Sequence, residues 1–337
     1  MAGSNHSNVT EFVLLGFSDL KELLFGIFLL LYLSTLLGNL GVILLIKSNS
    51  QLHVPMYFFL SQLSFLDICY SSTIMPKVLL GLLVETNVIS FKACLAQFFF
   101  FAAFGSTEAI LLAVMAYDRY VAICQPLHYS AAMSHGLCVQ LLLASYAAGS
   151  LNALVHTSAL CQLSFCGPNL LHHFFCDIPP VLPLSCSDTW LSQLLVAICI
   201  GFIIATSLLT IIISYACILL SAWSTHSMEG RPKAFSTCTS HLMVVALFYG
   251  SAAFVYFHPF SRQLEHQGTT ASVFYTMVTP MLNPFIYSLR NKEVRSALRR
   301  AGNKLLSSIY SHRSCSSQTK GDVTCQSGGS RRNKADT

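Results

Sequence analysis

The chain has 337 residues, of which 54% are hydrophobic and only 10% are charged, and its formal net charge is +5. A soluble globular domain carries about 25% charged residues. The composition therefore excludes an ordinary soluble domain and predicts that much of the protein surface faces lipid.

Seven long apolar runs occupy most of the chain. A helix needs about 20 mostly apolar residues to cross the hydrocarbon core of a bilayer. In chain order the predicted spans are Leu23–Ile46, Val54–Pro76, Leu95–Tyr117, Leu137–Leu160, Trp190–Trp223, Ala234–Phe260 and Gly268–Leu289. The connections between them are too short for separate domains. We expect an all-α membrane fold, a bundle of seven transmembrane helices.

The segments that flank the bundle differ from it in composition. Residues 1–22 are expected to form an extracellular N-terminus, and residues 23–290 the seven-helix domain. Residues 291–306 space apolar side chains among basic ones, which predicts a short amphipathic eighth helix on anionic lipid of the inner leaflet. Residues 307–337 are polar, Ser-rich and basic, and predict a disordered tail. Met1–Thr10 lacks the features of a signal peptide, so the first span is expected to insert the chain.

Charge predicts the orientation of the bundle, since seven spans place the two termini on opposite sides. With the N-terminus outside, fifteen Lys and Arg residues lie in cytosolic segments and four in outer segments. This asymmetry follows the positive-inside rule. The sequons at Asn5 and Asn8 lie on the same outer side, where glycosylation occurs. We therefore expect a multi-pass plasma-membrane protein with a cytoplasmic C-terminus.

Four cysteines fall on the predicted outer side, where disulfides form. They are Cys94, Cys166, Cys176 and Cys186. Four cysteines allow three pairings, and spacing alone does not choose among them.

Asp67 and Glu108 are the only acidic residues inside the predicted spans. An ionised carboxylate near the centre of a membrane is costly, so each is a candidate functional group. Two close carboxylates do not both ionise cheaply. Either one is protonated and the pair only joins helices, or a cation lies between them, and both interpretations remain open.

Other classes of membrane protein are disfavoured. The chain contains no Gly-x-Ser-x-Gly, no His-Glu-x-x-His and no phosphate-binding glycine loop, so we expect no enzyme. It also shows no internal repeat of the kind that transporters often contain.

Several motifs together resemble the olfactory branch of the rhodopsin-like G-protein-coupled receptors over roughly residues 10–300. They are Gly38-Asn39, Pro55–Leu60, Leu63–Asp67, Met115–Cys124 with Asp118-Arg119-Tyr120, Ser214-Tyr215, Lys233–Cys238 and Pro280–Tyr287 with its Asn-Pro-x-x-Tyr. Two features depart from the family pattern: Pro232 precedes the sixth span, and the tail continues beyond Lys304.

The resemblance implies an odorant receptor that binds a small volatile molecule and activates a stimulatory heterotrimeric G protein of the olfactory type, raising cyclic AMP. It implies no nucleic-acid partner and no cofactor other than an allosteric sodium ion at Asp67 and Glu108. A non-olfactory rhodopsin-like receptor is the nearest alternative.

The resemblance also assigns residues to a cytoplasmic switch. Asp118 is expected to hold Arg119 in the resting state, and Arg119 to move toward the G protein on activation. Pro284 removes a backbone hydrogen bond and bends the seventh span. The implied switch residues are Asp118, Arg119, Tyr120, Tyr215, His241, Asn283, Pro284 and Tyr287.

The implied ligand pocket opens outward between the third, fifth, sixth and seventh spans. Its expected lining is Phe101, Ala102, Gly105, Ser106, Cys199, Ile203, Tyr249, Ala253, Tyr256 and Thr276. Phe101 stands where amine receptors carry an acid, and the seventh span has no lysine for a retinal Schiff base. Both absences favour a neutral or weakly polar ligand.

By resemblance the disulfides are Cys94–Cys176 and Cys166–Cys186, which leaves Cys161 over. A metal site at His172, His173, Cys176 and Asp177 is a weaker alternative, because the cysteine is expected to be bonded already.

Overall fold

The computed structural model describes residues 10–15, 20–166, 169–224, 231–257, 272–290, 293–300 and 302–303. Seven helices form the bundle: α1 Lys21–Ser48, α2 Pro55–Leu83, α3 Phe91–Cys124, α4 His135–Cys161, α5 Trp190–Ser224, α6 Arg231–Phe257 and α7 Thr279–Arg290. A π-helical turn, Phe274–Val278, leads directly into α7. The glycosylation candidates Asn5 and Asn8 and the tail from residue 304 onward lie outside the described residues.

Within these ranges, five helices are long and apolar enough to cross a membrane, namely α1 to α5, and α6 contains a shorter apolar stretch, Cys238–Ala253. The predicted sixth span includes residues 258–260 and the predicted seventh span includes residues 268–271, and all of these lie outside the described residues. Leu30, Leu37, Ile212 and Leu220 are exposed on the outer faces of α1 and α5. Such exposed leucines and isoleucines fit a surface that contacts lipid.

Capping sets the start of several helices. The Ser90 side chain accepts a hydrogen bond from the Ala93 amide at the start of α3, and Ser134 accepts one from Leu137 at the start of α4. Helix α2 begins at Pro55, whose missing N–H costs nothing in the first turn. Helix α3 extends past the predicted span at both ends, because backbone hydrogen bonding continues where the apolar run stops.

A three-stranded sheet on the predicted outer side was not predicted from the sequence. Its strands are β1 Glu11–Leu14, β2 Val88–Ser90 and β3 Leu170–Leu171, in the order β2-β1-β3. β1 pairs antiparallel with β2 and parallel with β3. Phe12 of β1 is fully buried against Phe91 and Phe165. The N-terminal segment thus joins the α2–α3 connection to the α4–α5 loop.

Two disulfides hold the α4–α5 loop in place. Cys94 at the start of α3 is bonded to Cys176, and Cys166 is bonded to Cys186 within the loop. Cys161 at the end of α4 is a free, exposed cysteine. The structure thus adopts one of the three pairings that spacing alone left open.

Residues 293–300 are helical beyond α7, within the predicted eighth helix. Val294 and Ala297 are buried, in keeping with an amphipathic arrangement. The Tyr57 hydroxyl donates to Glu293 at 2.6 Å, and Arg300 donates to Gln51 at 3.0 Å. These contacts attach the eighth helix to the start of α2 and to the connection between α1 and α2.

Gly149 allows α4 to approach α3 closely. A Cβ atom added there would lie 2.7 Å from the Ala103 carbonyl oxygen, which already accepts a hydrogen bond from the Thr107 hydroxyl at 2.7 Å. The nearest obstacle includes backbone, so the helices have to separate to admit a side chain.

We predict that Gly149→Ala lowers the free energy of unfolding by about 1–3 kcal/mol, the usual cost of overpacking. The thermal midpoint of the purified protein in detergent measures the change. Gly136→Ala is the matched control, since a Cβ there meets nothing within 4 Å, and replacing an open helical glycine is neutral or stabilising. Equal midpoints for the two variants would contradict close packing at Gly149.

Candidate ligand-binding site and cytoplasmic switch

A cavity of about 100 Å³ lies between helices α2 to α6, below the α4–α5 loop. Its walls are mainly aromatic and aliphatic. The lining residues are Tyr70, Phe98, Phe101, Ala102, Gly105, Ser106, Ala109, Asn152, His156, Asp177, Ile178, Ile200, Ile203, Ile204, Phe248, Tyr249, Ala252 and Tyr275. Apolar walls with a few polar groups are typical of small-molecule sites.

The structure brings six of the expected pocket residues to this cavity: Phe101, Ala102, Gly105, Ser106, Ile203 and Tyr249. Cys199 and Ala253 are not part of its wall; on α5, Ile200, Ile203 and Ile204 face the cavity instead, and Ala253 is exposed. Thr276 is buried elsewhere, with its hydroxyl donating to the Ser272 carbonyl at 2.6 Å. The side chain of Tyr256 lies outside the described residues.

Sequence reasoning missed the contribution of α4. Asn152 and His156 line the cavity and are buried. The signal was available, because two polar residues four positions apart lie on one face of a helix within an otherwise apolar run. Asn152 Nδ2 donates to Ser106 Oγ at 2.9 Å, and His156 Nε2 is 3.2 Å from Asn152 Oδ1. His156 Nδ1 is buried and has no hydrogen-bond partner.

Most other polar groups in the wall are bonded within the protein. The Tyr249 hydroxyl donates to the Ala109 carbonyl at 3.0 Å. Asp177 accepts from the Ile178 amide at 2.8 Å and from the Tyr275 hydroxyl at 3.4 Å. Asp177 thus places a carboxylate in the cavity wall, although Phe101 stands where amine receptors carry an acid. Both carboxylate oxygens of Asp177 already accept hydrogen bonds.

The loop above the cavity contains a buried histidine. His173 Nδ1 lies 3.2 Å from the Phe175 carbonyl oxygen, and Nε2 lies 3.2 Å from Ser272 Oγ. Burial lowers the pKa of His173 to about 4. Among the described residues no group of three or more His, Cys, Asp or Glu side chains can hold a metal, and Cys176 is disulfide-bonded. The structure therefore does not favour the metal alternative for this loop.

The acid pair lies at the centre of the bundle, with Asp67 and Glu108 both buried. Asn283 Nδ2 donates to the two Asp67 oxygens at 3.0 and 3.1 Å. Asn39 Nδ2 donates to the Thr35 and Pro280 carbonyls, both at 3.0 Å. Three oxygens here are buried without a hydrogen-bond partner: Asn39 Oδ1, Glu108 Oε1 and Asn283 Oδ1.

The end of α3 that is predicted to face the cytoplasm shows hydrogen bonds that the sequence did not predict. Arg119 Nη1 donates to the Met115 carbonyl at 2.8 Å, one turn back on its own helix. Asp118 Oδ1 instead accepts from the Tyr129 hydroxyl at 2.9 Å. In this structure the side-chain hydrogen bond of Asp118 is to Tyr129, and the expectation that Asp118 holds Arg119 in the resting state stays a prediction. Successive helical residues point about 100° apart, so Asp118 and Arg119 face different neighbours, and Asp118 faces Tyr129. The Tyr120 hydroxyl accepts a long hydrogen bond from Gln125 at 3.4 Å.

Arg119 nevertheless lies near three of the other expected switch residues. Its charge acts on Tyr215, His241 and Tyr287, each of which is buried. The Tyr215 hydroxyl hydrogen-bonds to His241 Nδ1 at 2.8 Å. Arg119 Nε, His241 Nε2 and the Tyr287 hydroxyl have no partner. The cluster thus holds spare donors and acceptors around one permanent charge.

Comparisons with known proteins agree on one family. A family model described as olfactory receptor matches residues 28–304. Olfactory receptor 5AR1 of Mus musculus is 52% identical over 303 residues, which cover 89% of this chain and 98% of that protein. Olfactory receptor 5F1 of Homo sapiens is 52% identical over 301 residues, covering 88% and 96%. The crystal structure of squid rhodopsin matches with a TM-score of 0.64 at 18% identity, covering 86% of this chain and 88% of rhodopsin, which shows the fold alone.

The buried His173 predicts a pH-dependent loop. Its pKa is lowered from 6.5 to about 4 in the folded loop, so between these values the unfolded loop binds more protons than the folded one. Stability of the loop should therefore be full above pH 6.5 and fall as the pH drops toward 4. Hydrogen exchange of residues 170–178 at pH 7 and pH 5 measures this. His173→Phe should abolish the dependence, and His172→Phe, in the same loop, should not; a pH effect that persists in His173→Phe would assign it to another group.

Proposed function

Because the chain belongs to the olfactory receptor family of G-protein-coupled receptors, we propose that it binds a small neutral volatile in the cavity and couples binding to a stimulatory G protein. The proposed output is a rise in cyclic AMP. Members of this family are signalling receptors and not enzymes. The observation that carries the proposal is the apolar cavity whose wall includes α3, the helix that also carries Arg119.

Helix α3 connects the two sites. It carries Phe101 and Gly105 in the cavity wall, Glu108 in the acid pair and Arg119 at the cytoplasmic end. At 1.5 Å per residue, Gly105 and Arg119 are about 21 Å apart along the axis. A ligand that shifts α3 against α5 or α6 therefore acts on both ends, provided that it binds the two arrangements with different affinity.

The orientation with the N-terminus outside belongs to the same proposal. The sequons, the charge asymmetry and the two disulfides support it, because the β1–β3 sheet and the disulfide-bonded loop then face the extracellular side. The cavity lies under that loop and is placed to receive a ligand from outside, while Arg119 faces the cytosol.

The acid pair suits an allosteric sodium ion in the resting state. Hard cations bind carboxylate and amide oxygens, and Asn39 Oδ1, Glu108 Oε1 and Asn283 Oδ1 are buried oxygens without partners. Asp67 and Glu108 would supply the charge, and the two asparagines neutral oxygens. Since Asn39, Asp67, Glu108 and Asn283 lie on α1, α2, α3 and α7, any repacking of these helices would alter affinity for the ion.

A screen of volatiles against cells that express the chain tests the proposed function. Some volatile should raise cyclic AMP, and Arg119→Ala should abolish the rise at matched surface level, because Arg119 supplies the positive charge that acts on Tyr215, His241 and Tyr287. Arg300→Ala is the control. Arg300 lies in the eighth helix and donates to Gln51, away from the Arg119 cluster. Full signalling by Arg119→Ala would remove Arg119 from the switch. Silence toward every class of volatile would contradict odorant reception.

The sodium proposal predicts non-additive mutations. Glu108→Gln and Asp67→Asn should each reduce the effect of sodium on basal cyclic AMP, and the double variant should do little more than either, because both act through one ion. The measurement compares high and low sodium at equal osmolarity and matched surface level. If sodium does not affect the wild type, or if the two effects add fully, the pair is a protonated link between helices.

A further inference from the structure

We propose that His156 selects the ligand by accepting a hydrogen bond, so that the cavity prefers small alcohols and phenols over ketones, aldehydes and hydrocarbons of the same skeleton. This inference rests on the proposed function, since it requires that an odorant enters the cavity. It names the chemical class of that odorant and assigns the selecting residue to α4.

The hydrogen bonds of Asn152 fix the tautomer of the imidazole. Asn152 Nδ2 donates to Ser106 Oγ at 2.9 Å, which turns its carbonyl oxygen toward His156. That oxygen only accepts, so His156 Nε2, at 3.2 Å, carries the proton. In the neutral ring Nδ1 is then an acceptor with a free lone pair. Asn152 is therefore a positioning residue that determines the role of His156.

The free acceptor favours one kind of ligand. His156 lines the cavity, is 1% exposed, and its Nδ1 has no partner. A buried acceptor without a partner costs free energy, and the cost is relieved when a donor arrives. A hydroxyl group supplies such a donor. A carbonyl group does not, and it would place its own lone pair against that of Nδ1.

Two other hydroxyl groups in the cavity wall already donate hydrogen bonds within the protein. Tyr249 donates to the Ala109 carbonyl and Tyr275 to Asp177. Ser106 accepts from Asn152 and keeps its own proton, so Ser106 is the competing donor that a carbonyl ligand could use. In a helix a serine hydroxyl commonly donates to the carbonyl four residues back.

The cavity volume sets the size of the probes. A cavity of about 100 Å³ is smaller than the roughly 150 Å³ that admits benzene in an engineered core, so side chains of the wall have to move to admit a ligand, and the probes are kept to about seven or eight heavy atoms. Cyclohexanol, cyclohexanone and methylcyclohexane have equal numbers of heavy atoms. Benzyl alcohol, benzaldehyde and ethylbenzene form a second matched set. Within each set only the capacity to hydrogen-bond changes.

The experiment measures binding and signalling separately. The thermal midpoint of the purified full-length receptor, titrated with each probe, gives apparent affinity by ligand linkage, and cyclic AMP in cells gives potency. At least one alcohol should bind about tenfold more tightly than its carbonyl partner, the scale of one hydrogen bond. The hydrocarbon should be no better than the carbonyl compound.

Variants then assign the preference. His156→Phe should bring the alcohol-to-carbonyl ratio close to one. Asn152→Ala frees the tautomer and should lower the same ratio, even if His156→Phe fails to fold. Ile204→Val enlarges the cavity slightly without changing a polar group. It should leave the alcohol-to-carbonyl ratio as in the wild type.

Several outcomes would overturn the proposal. They are a wild-type preference for ketone or aldehyde, a ratio unchanged in both His156→Phe and Asn152→Ala, and no stabilisation by any of the six probes. If volatiles of another class still raise cyclic AMP in those cases, the inference fails and odorant reception stands. If no volatile of any class stabilises or activates the receptor, the proposed function fails with it.

Discussion

Inside a bilayer no water satisfies polar groups, so each buried donor or acceptor has to find its partner within the protein. Most described groups do: Asn283 bonds Asp67, and Tyr249 bonds the Ala109 carbonyl. Several described groups lack a partner, and they lie at three depths along α3. They are His156 Nδ1 beside the cavity, Glu108 Oε1 at the centre and Arg119 Nε at the end predicted to face the cytoplasm. Unpaired atoms at these depths mark where a ligand, an ion or a conformational change can supply the missing bond.

Close helix packing allows these depths to communicate. Gly149 brings α4 against α3 one turn before Asn152, so the group that positions His156 depends on the same contact. On the other side, a Cβ at Gly38 would lie 2.9 Å from Pro284 Cγ, which places α1 directly against the proline of α7. Packed interfaces of this kind switch between discrete arrangements and do not deform continuously. We propose that a small ligand in the cavity biases the Arg119 cluster through these interfaces.

The sequence predicted the spans well because the bilayer imposes a length and a composition that can be read from single residues. The motif resemblance predicted that Arg119, Tyr215 and Tyr287 belong to one switch, and the structure places them close together. The partner of Asp118 was missed, since Tyr129 lies eleven residues away in a connection whose path depends on tertiary packing. The strands β1 to β3 were missed because two to four residues carry too little periodicity. The role of His156 needed the distances to Asn152, which composition does not contain.

The central claim is that the cavity on α3 is where the odorant binds. Gly105 lines it, and a Cβ there would already lie 3.4 Å from the Tyr70 ring, so Gly105→Leu fills the space. The direct measurement is the dose–response of cyclic AMP to any volatile that activates the wild type, at matched surface level, with Gly250→Leu as the control because a Cβ at Gly250 meets nothing within 4 Å. If the odorant binds in this cavity, the cyclic AMP response is lost in Gly105→Leu and retained in Gly250→Leu. An unchanged dose–response in Gly105→Leu would contradict that claim.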